Sequence, residues 1–599
     1  MPGAGKSMAC WVIFIHPFID MSKRFNNCFT HLVRSLAPFK VGEPIVKHRI
    51  AVLAKAISDL EANRFSSVTT RCAPLLARNP NDMEALLLCG LASGARGHAE
   101  HAAGLLHRAA RAGGNGAHPL HDLVIILRRI GQPERVAPQF HALHRLAPGD
   151  ASLLHAYAEF LYDTGQNEAA VPLLTEALRL RPDAQMTRNL LAMALASLGR
   201  TEAAIAQLRD ATHRDPSRAG TWANLGLLLK DDGRFDEALA AYDIALTLAP
   251  ADAQIRVNRV VALLRAGRWT EAWPDYEWRL MLADHAVRRS RLLPALSGLP
   301  DLTGRTILAM HEDGFGDSLH FARYLPLLAE RGARVIVSVP PPLHRIMRTV
   351  PGVAAIHDPD DPPPNYHFYC PFFSLPRAFE TTPETIPASP PWLRADPGLT
   401  QLWNTRLPSG AVRVGLVWSG QARPALEGFV TLDGRRSMPL AMLAPFAAVP
   451  GVVFVSLQHG PEAAQAATPP AGMTLFDPMP LVTDFADTAA IVANLDLVIS
   501  VDTSVVHLAG GMGKPVFLLD RYDHCWRWLS GRADSPWYPA MRIFRQARIG
   551  EWAAVLERAA AALEEFAAAP ERARSERNVD GASIRRSNTP LKFRPVRSG

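Results

Sequence analysis

Two short stretches of this chain carry residue types at spacings suited to chemistry. The first is Leu495 to Asp520, LDLVISVDTSVVHLAGGMGKPVFLLD. It reads as a buried strand, a turn at Asp502-Thr503-Ser504, a short helix through Met512, a stop at Gly513 and a second buried strand. A strand that enters a helix through small hydroxyl residues leaves backbone N–H groups unpaired at the positive end of the helix dipole. That arrangement binds phosphate. His507 lies four residues after Thr503, on the same helix face. The second stretch is Gly314-Phe315-Gly316-Asp317, a carboxylate at a helix start behind two glycines that let backbone approach a ligand closely. His320 and Arg323 project one turn further along and are candidates to line the same face. Each stretch also has a plain structural reading: Asp317 as the N-cap of a helix from Ser318, and Asp502–His507 as an ordinary capped helix.

The surrounding sequence supplies elements able to position both stretches. Strands are expected at Thr306–Met310, Arg334–Pro340, Val353–His357, Val412–Trp418 and Val452–Leu457, and on either side of the 502–512 turn and helix. Helices are expected at Ser318–Arg331, Leu343–Val350, Pro439–Val449, Asp484–Leu495 and Glu551–Ala567. Alternating strand and helix predicts parallel, doubly wound sheets. The pattern runs twice, with Pro-rich interruptions at Asp358–Pro364 and Pro383–Pro397. Two such units predict two Rossmann-like lobes facing across a cleft, the GT-B architecture, with ligands beyond the carboxyl ends of the strands. The loops after Met310, Trp418 and Val501 all fall there.

Before this α/β half, from about Glu43 to Ala283, the sequence repeats every 34 residues. Turn glycines recur at Gly97, Gly131, Gly165, Gly199, Gly233 and Gly267. Small residues recur at Ala102, Ala170, Ala204, Ala238 and Ala272, and prolines at Pro80, Pro148, Pro182, Pro216 and Pro250. The glycines allow tight turns, the alanines close helix approach, and the prolines end each second helix. Trp222 and Tyr242 are expected in the core. One such unit cannot bury its apolar face alone, so about six or seven must stack into a superhelix. This pattern resembles the tetratricopeptide repeat. The last unit departs from it, carrying Arg259 where earlier ones have Leu or Tyr. It ends in Trp273-Pro274-Asp275-Tyr276-Glu277-Trp278-Arg279, an aromatic-rich cap expected to pack against the next domain.

Composition limits the remaining options. At 599 residues the chain exceeds one core, and 48% hydrophobic with 20% charged residues describes a globular protein. No apolar run reaches the roughly 18 residues of a spanning helix; Trp11–Phe18 is short, interrupted by His16, and lacks the cleavage site of a signal peptide. The six cysteines, Cys10, Cys28, Cys72, Cys89, Cys370 and Cys525, form no CxxC pair, which fits reduced thiols and a cytoplasmic protein. Net charge is +7, but the eight basic against three acidic residues from Ala568 on supply +5 of it, so no nucleic-acid surface is implied. Gly5-Lys6-Ser7 imitates the end of a P-loop but has no preceding strand and no first glycine. The expected layout is a poorly ordered segment at 1–44, a solenoid at 45–283 and a linker at 284–303. Lobes follow at 304–400 and 411–567, and a disordered basic tail at 568–599.

GFGDSLHFARYLPLL (Gly314–Leu328) together with SVDTSVVHLAGGMGKPV (Ser500–Val516) resembles the bacterial heptosyltransferase-type glycosyltransferases of family 9 and their repeat-fused relatives. The resemblance covers about Leu302 to Leu563; a more distant one in layout is to repeat-bearing protein O-GlcNAc transferases. It implies an inverting, metal-independent glycosyltransferase that needs no cofactor, its nucleotide-sugar donor being a substrate. Such transfer requires a base for the acceptor hydroxyl and N–H or cationic groups for the departing diphosphate. The resemblance matches Asp317 to the catalytic carboxylate. It matches Gly314, Gly316, Ser419, Arg436, Asp502, Thr503, Ser504 and His507 to donor binding. His320 and Arg323 are acceptor-side candidates. The repeats would recruit protein or peptide, with protein, glycan and lipid-linked acceptors all left open.

The chain departs from that family in the loop after Trp418-Ser419-Gly420, where Gln421 to Arg436 is long and lacks lysine. Arg423, Arg435 and Arg436 are its cations, and Arg436-Ser437 is the better match. Asp358-Pro359-Asp360-Asp361 imitates a DxD metal motif but lies in a Pro-rich connection. Trp526, Trp528 and Trp537, with Tyr522, His524 and Tyr538, either stack on a base or sugar or cover the sheet; Gly510, Gly511 and Gly513 read as packing and helix-stop positions. The rival expectation is an interaction scaffold whose transferase lobes no longer turn over.

Overall fold

The computed structural model describes residues 44–113, 120–129, 132–282, 291–388, 390–409, 411–420 and 434–568. The expectations for 1–43, Gly131, residues 284–290 of the linker, Arg423 with the rest of 421–433, and the tail from 569 lie outside these residues. The chain divides into two compact units. One is helical and reaches Leu263, with Trp278–Asp284 added; the other takes in Leu264–Glu277 and the chain from His285 onward.

In the helical unit the 34-residue period is visible in the helix starts. First helices begin at Ala151, Gln185, Ala219 and Ala253, and second helices at Asn167, Thr201 and Phe235. Gly97, Gly165, Gly199 and Gly233 all adopt φ between 73° and 88°, the left-handed turn that closes each helix pair at low steric cost only for glycine. Ala102, Ala170, Ala204 and Ala238 are wholly buried where the helices cross. Second helices end at Arg78, Leu146, Leu180, Arg214 and Leu248, each two residues before a proline. Gly226 leaves room for the buried Tyr242 ring, since a Cβ there would sit 2.9 Å from Tyr242 Cε1. Trp222, expected in the core, is only half-buried. Its indole N–H is tied to Pro216 O at 2.9 Å, which leaves the ring along the wall of a groove between successive repeats. Arg259, the departure in the last unit, pairs with Asp243 at 2.7 Å.

The second unit contains two parallel sheets. The first joins β1 (Thr306–Met310), β2 (Arg334–Ser338), β3 (Val353–His357) and β4 (Phe368–Pro371) in the order β3-β2-β1-β4. The second joins β5 (Val412–Val417), β6 (Val452–Ser456), β7 (Leu475–Phe476), β8 (Leu497–Val501), β9 (Val516–Asp520) and β10 (Met541–Arg545) in the order β10-β9-β8-β5-β6-β7. All pairings within both sheets are parallel. Strands β4, β7 and β10 were not expected from sequence: β4 has four residues and ends in proline, β7 has two, and β10 exposes Arg542. The second sheet buries Val414, Leu416, Ile499 and Leu519 with Phe446 and with Val555, Leu556 and Ala559 of the closing helix, Ala553–Ala567.

The helix expected at Ser318–Arg331 instead starts at Phe315, stops at Phe321, and resumes at Leu325 after a 3-10 turn. Pro326 explains the break, because it has no N–H to donate and its ring would strike the carbonyl four residues back. The expected Pro439–Val449 helix is likewise a 3-10 turn and a single helical turn, with Pro445 inside. In Leu264–Glu277, Trp269 stacks on Trp537 at 5.4 Å and Trp273 donates to Thr381 O at 2.9 Å.

Tyr242→Ala should destabilise the helical unit by about 3 kcal/mol, the usual cost of deleting a large buried ring. Urea unfolding followed by far-ultraviolet circular dichroism checks this, and an unchanged midpoint would contradict the packing described.

Candidate functional site

Strand order locates the crevice. In the second sheet β5 is the strand from which the chain first winds one way, to β6 and β7, and then the other, to β8, β9 and β10. The topological switch therefore lies between β5 and β8, and ligands of such sheets sit beyond the carboxyl ends there. Those ends carry Trp418-Ser419-Gly420 and Asp502-Thr503-Ser504.

Three side chains fix the β5 end. Gln458, just beyond β6, accepts from Trp418 N at 3.1 Å and Ser419 N at 2.9 Å, and donates to Ser419 O at 2.9 Å. Gly420 N donates to Ser437 Oγ at 3.1 Å. The Arg436 guanidinium lies over Gly420, where a Cβ would come within 2.5–2.7 Å of it, and its Nη1 donates to Asp502 O at 3.2 Å. Arg436 thus spans the switch point from one strand end to the other. Ser419 is buried, its hydroxyl turned to Gly420 O. Arg435 pairs with Asp523 at 3.2 Å, away from that span.

At the β8 end, Thr503 is the extended N-cap residue and the helix runs Ser504–Gly511. The Thr503 hydroxyl meets Ser500 Oγ at 3.1 Å. Register places Val501 beside Leu519, so Asp502 follows alongside Asp520. Burial raises the Asp520 carboxyl to about 6 against the pull of Arg545, with the Asp502 charge adding to the rise. Gly510 and Gly511 face Tyr538 and the Leu393–Trp392 pair with no space for a Cβ, and Gly513 has φ 79°.

The first-sheet stretch arrives at the same place. Gly314 is the N-cap and Asp317 the third helical residue, not the cap. A glycine cap has no side chain to offer, and Asp317 Oδ2 instead accepts from Gly314 N at 3.1 Å. Asp317 Oδ1 accepts from Arg527, and Arg527 Nη1 reaches Cys525 Sγ at 3.0 Å. The ion pair is buried on both sides. Gly316 lies directly against the other motif: a Cβ on it would be 2.8 Å from His507 Cδ2 and 3.1 Å from Ser504 Cα. At this point the two motif helices touch, where a cleft was expected.

His320 and Arg323 are inside the protein. His320 Nδ1 is 2.6 Å from Tyr538 Oη, and His507 Nδ1 is 2.8 Å from the same oxygen. Arg323 donates to Trp537 O at 2.7 Å and lies 4.1 Å from the Trp392 ring centre. Burial first, then neighbouring guanidinium groups, hold the His320 and His507 imidazoles well below their usual range. Burial likewise brings His311, bonded to Ser318 Oγ at 2.8 Å, down to about 4. Trp526, Trp528 and Trp537 are buried; Trp528 stacks on His507 at 5.5 Å and Trp526 meets Trp537 edge-on. Sequence reasoning placed Tyr538 only in an aromatic cluster, and missed Arg527 and Gln458 as site residues. That cluster, after β9, was the one signal pointing toward Arg527. Asp358 closes a turn by accepting from Asp360 N at 3.1 Å, and among the described residues no three His, Cys, Asp or Glu side chains gather as a metal site. No described helix is long and apolar enough to cross a membrane.

Two measurements test this arrangement. Arg527→Met leaves the Asp317 charge buried without its partner and should cost about 3–5 kcal/mol, read as a lower denaturation midpoint. For pH, His311, His320, His507 and His524 all have folded pKa values below the unfolded 6.5. Their contribution is complete above pH 6.5 and is lost progressively as pH falls from 6.5 toward the folded values. Asp520 acts oppositely, losing its contribution as pH rises through about 6. With four groups against one, the melting temperature should fall from pH 7 to about pH 5; a constant or rising value would contradict the neutral histidine cluster.

A tetratricopeptide-repeat family model matches residues 158–219 and 224–277. Protein FlbA of Caulobacter vibrioides is 29% identical over 319 residues, covering 47% of this chain and 52% of FlbA; the chain thus spans about half the length of the curated relative it matches. Similar solved structures include MamA from Desulfovibrio magneticus RS-1 (20% identity, 28% of this chain and 96% of that one, TM-score 0.25). Another is YrrB, described as a TPR protein with an unusual peptide-binding site (18% identity, 31% and 95%, TM-score 0.23). The helix pairs of this chain are tetratricopeptide repeats, followed in sequence by the region of parallel sheets.

Proposed function

We propose that the sheet-bearing unit is a GT-B glycosyltransferase that moves a sugar from a nucleotide-sugar to a hydroxyl, while the repeats recruit the acceptor or a protein partner. The observation that carries this reading is the switch point between β5 and β8. Arg436 and the N-terminus of the Ser504 helix stand together there, a guanidinium beside free backbone N–H groups. A diphosphate finds in that pairing both charge and directional donors. Asp502 accepts ribose hydroxyls, and Thr503 and Ser504 bond the phosphates. Asp317 is the carboxylate that receives the acceptor proton. For this the contact between the motif helices must part, so that an acceptor hydroxyl replaces Arg527 at Oδ1. The inverting, metal-independent course comes from the family resemblance.

Protein or peptide partners fit the repeats, where a groove of about 570 Å³ is lined by apolar Trp222, Leu225, Leu229 and Ile244 and carries Arg209 and Glu237. The second reading, a scaffold with a degenerate transferase region, is favoured by one observation: Arg527 and Gly314 already occupy both Asp317 oxygens.

Calorimetry against UDP-, ADP- and GDP-sugars separates the two. The transferase reading expects one of them to bind. It also expects Asp317→Ala to lower turnover about 100-fold or more, the span typical of a lost general base, with nucleotide affinity retained. A folded sample that binds none of the three establishes the scaffold instead.

A further inference from the structure

Tyr538 Oη sits between two imidazole nitrogens, His320 Nδ1 at 2.6 Å and His507 Nδ1 at 2.8 Å. The phenol has one proton and can donate to only one ring, so at least one Nδ1 carries a proton; two bare nitrogens would set one contact lone pair against lone pair. Two observations decide the direction. O–H donors make shorter bonds than ring N–H donors, and the shorter contact is the one to His320. The Arg323 guanidinium, which has donors only, stands 3.5 Å from His320 Nδ1 and favours a lone pair there.

From these we infer that Tyr538 donates to His320 and accepts from His507, so that His507 is held with its proton on Nδ1 and a bare lone pair on Nε2. Nε2 adjoins Cδ2 in the ring, and Cδ2 is the atom that faces Gly316 beside Ser504. Nε2 therefore lies next to the atom at which the two motifs meet, beside a residue with no side chain. Burial and the Arg527 and Arg323 charges keep the ring neutral and a weak base. Such a nitrogen repels phosphate oxygen and accepts from a hydroxyl. Resting on the transferase reading, the inference gives His507 a sugar or ribose hydroxyl of the donor, in place of the phosphate. Tyr538 and His320 become positioning residues that act through it.

Nitrogen-15 spectra of histidine-labelled full-length protein, assigned with His320→Gln and His507→Gln, test the tautomers directly. The expected result is a neutral His507 with protonated Nδ1 and bare Nε2, and the reverse for His320. An Nε2–H His507, or a cationic ring near neutral pH, overturns the inference. Tyr538→Phe should release His507 from its single tautomer and weaken the nucleotide-sugar that binds wild type by about tenfold, the worth of one well-placed hydrogen bond. The spectra supply a readout that a purely structural loss would not move. A Tyr538→Phe protein with an unchanged His507 spectrum also overturns the relay. If no nucleotide-sugar binds wild type, the transferase reading fails, and the tautomers alone still decide this inference.

Discussion

The contact on which the sheet-bearing unit turns is the approach of two helices at Gly316. Because residue 316 has no Cβ, the Phe315 helix lies against Ser504 and His507 with no intervening side chain. That closeness brings Asp317 to Arg527 and His320 to the Tyr538 shared with His507. Each of these pairs takes one member from the chain before the second sheet and one from within or after it. Burial makes them consequential, since polar groups removed from water must find partners and those left without one are costly. Trp392 strengthens the same seam, its backbone N–H bonding Gly511 O and its indole bonding Leu319 O, each at 3.1 Å.

The seam also sets the electrostatics. Cationic Arg323 and Arg527 stand among His320, His507 and Tyr538, so the histidines are held neutral both by exclusion of water and by the neighbouring charge. A neutral imidazole differs from a cation in what it can bind. It has one donor and one acceptor whose order is dictated by its partner, and here the partner is a phenol with a single proton. The groups that hold phosphate in the proposal lie elsewhere, at Arg436 and the Ser504 helix start. Charge for the diphosphate and acceptance for a hydroxyl are thereby divided between neighbouring residues.

In the helical unit stability has a different origin. Its contacts are local and repeated, with a glycine turn and, in most units, an alanine crossing and a proline stop at a 34-residue period. No single contact governs it, and neighbouring repeats bury one another's faces. Trp222 shows how the pattern can be obeyed locally while the surface differs, because one indole hydrogen bond to Pro216 O holds the ring along a groove.

The period, the turn glycines and most strands were legible in the chain because each depends on residues close in sequence: a φ only glycine adopts freely, a proline without an N–H, a run of buried β-branched residues. The stretches at 314–317 and 502–507 were legible for the same reason. Tertiary structure alone decided that they touch, that Asp317 is paired, and that His320 and Arg323 are inside. Arg527 stands 210 positions from Asp317 and Tyr538 218 from His320, distances at which no periodicity or spacing rule operates. Which nitrogen of His507 carries the proton belongs to the same class. It is written in two hydrogen-bond lengths and the position of one guanidinium, and these exist only once the two sheets have folded against each other.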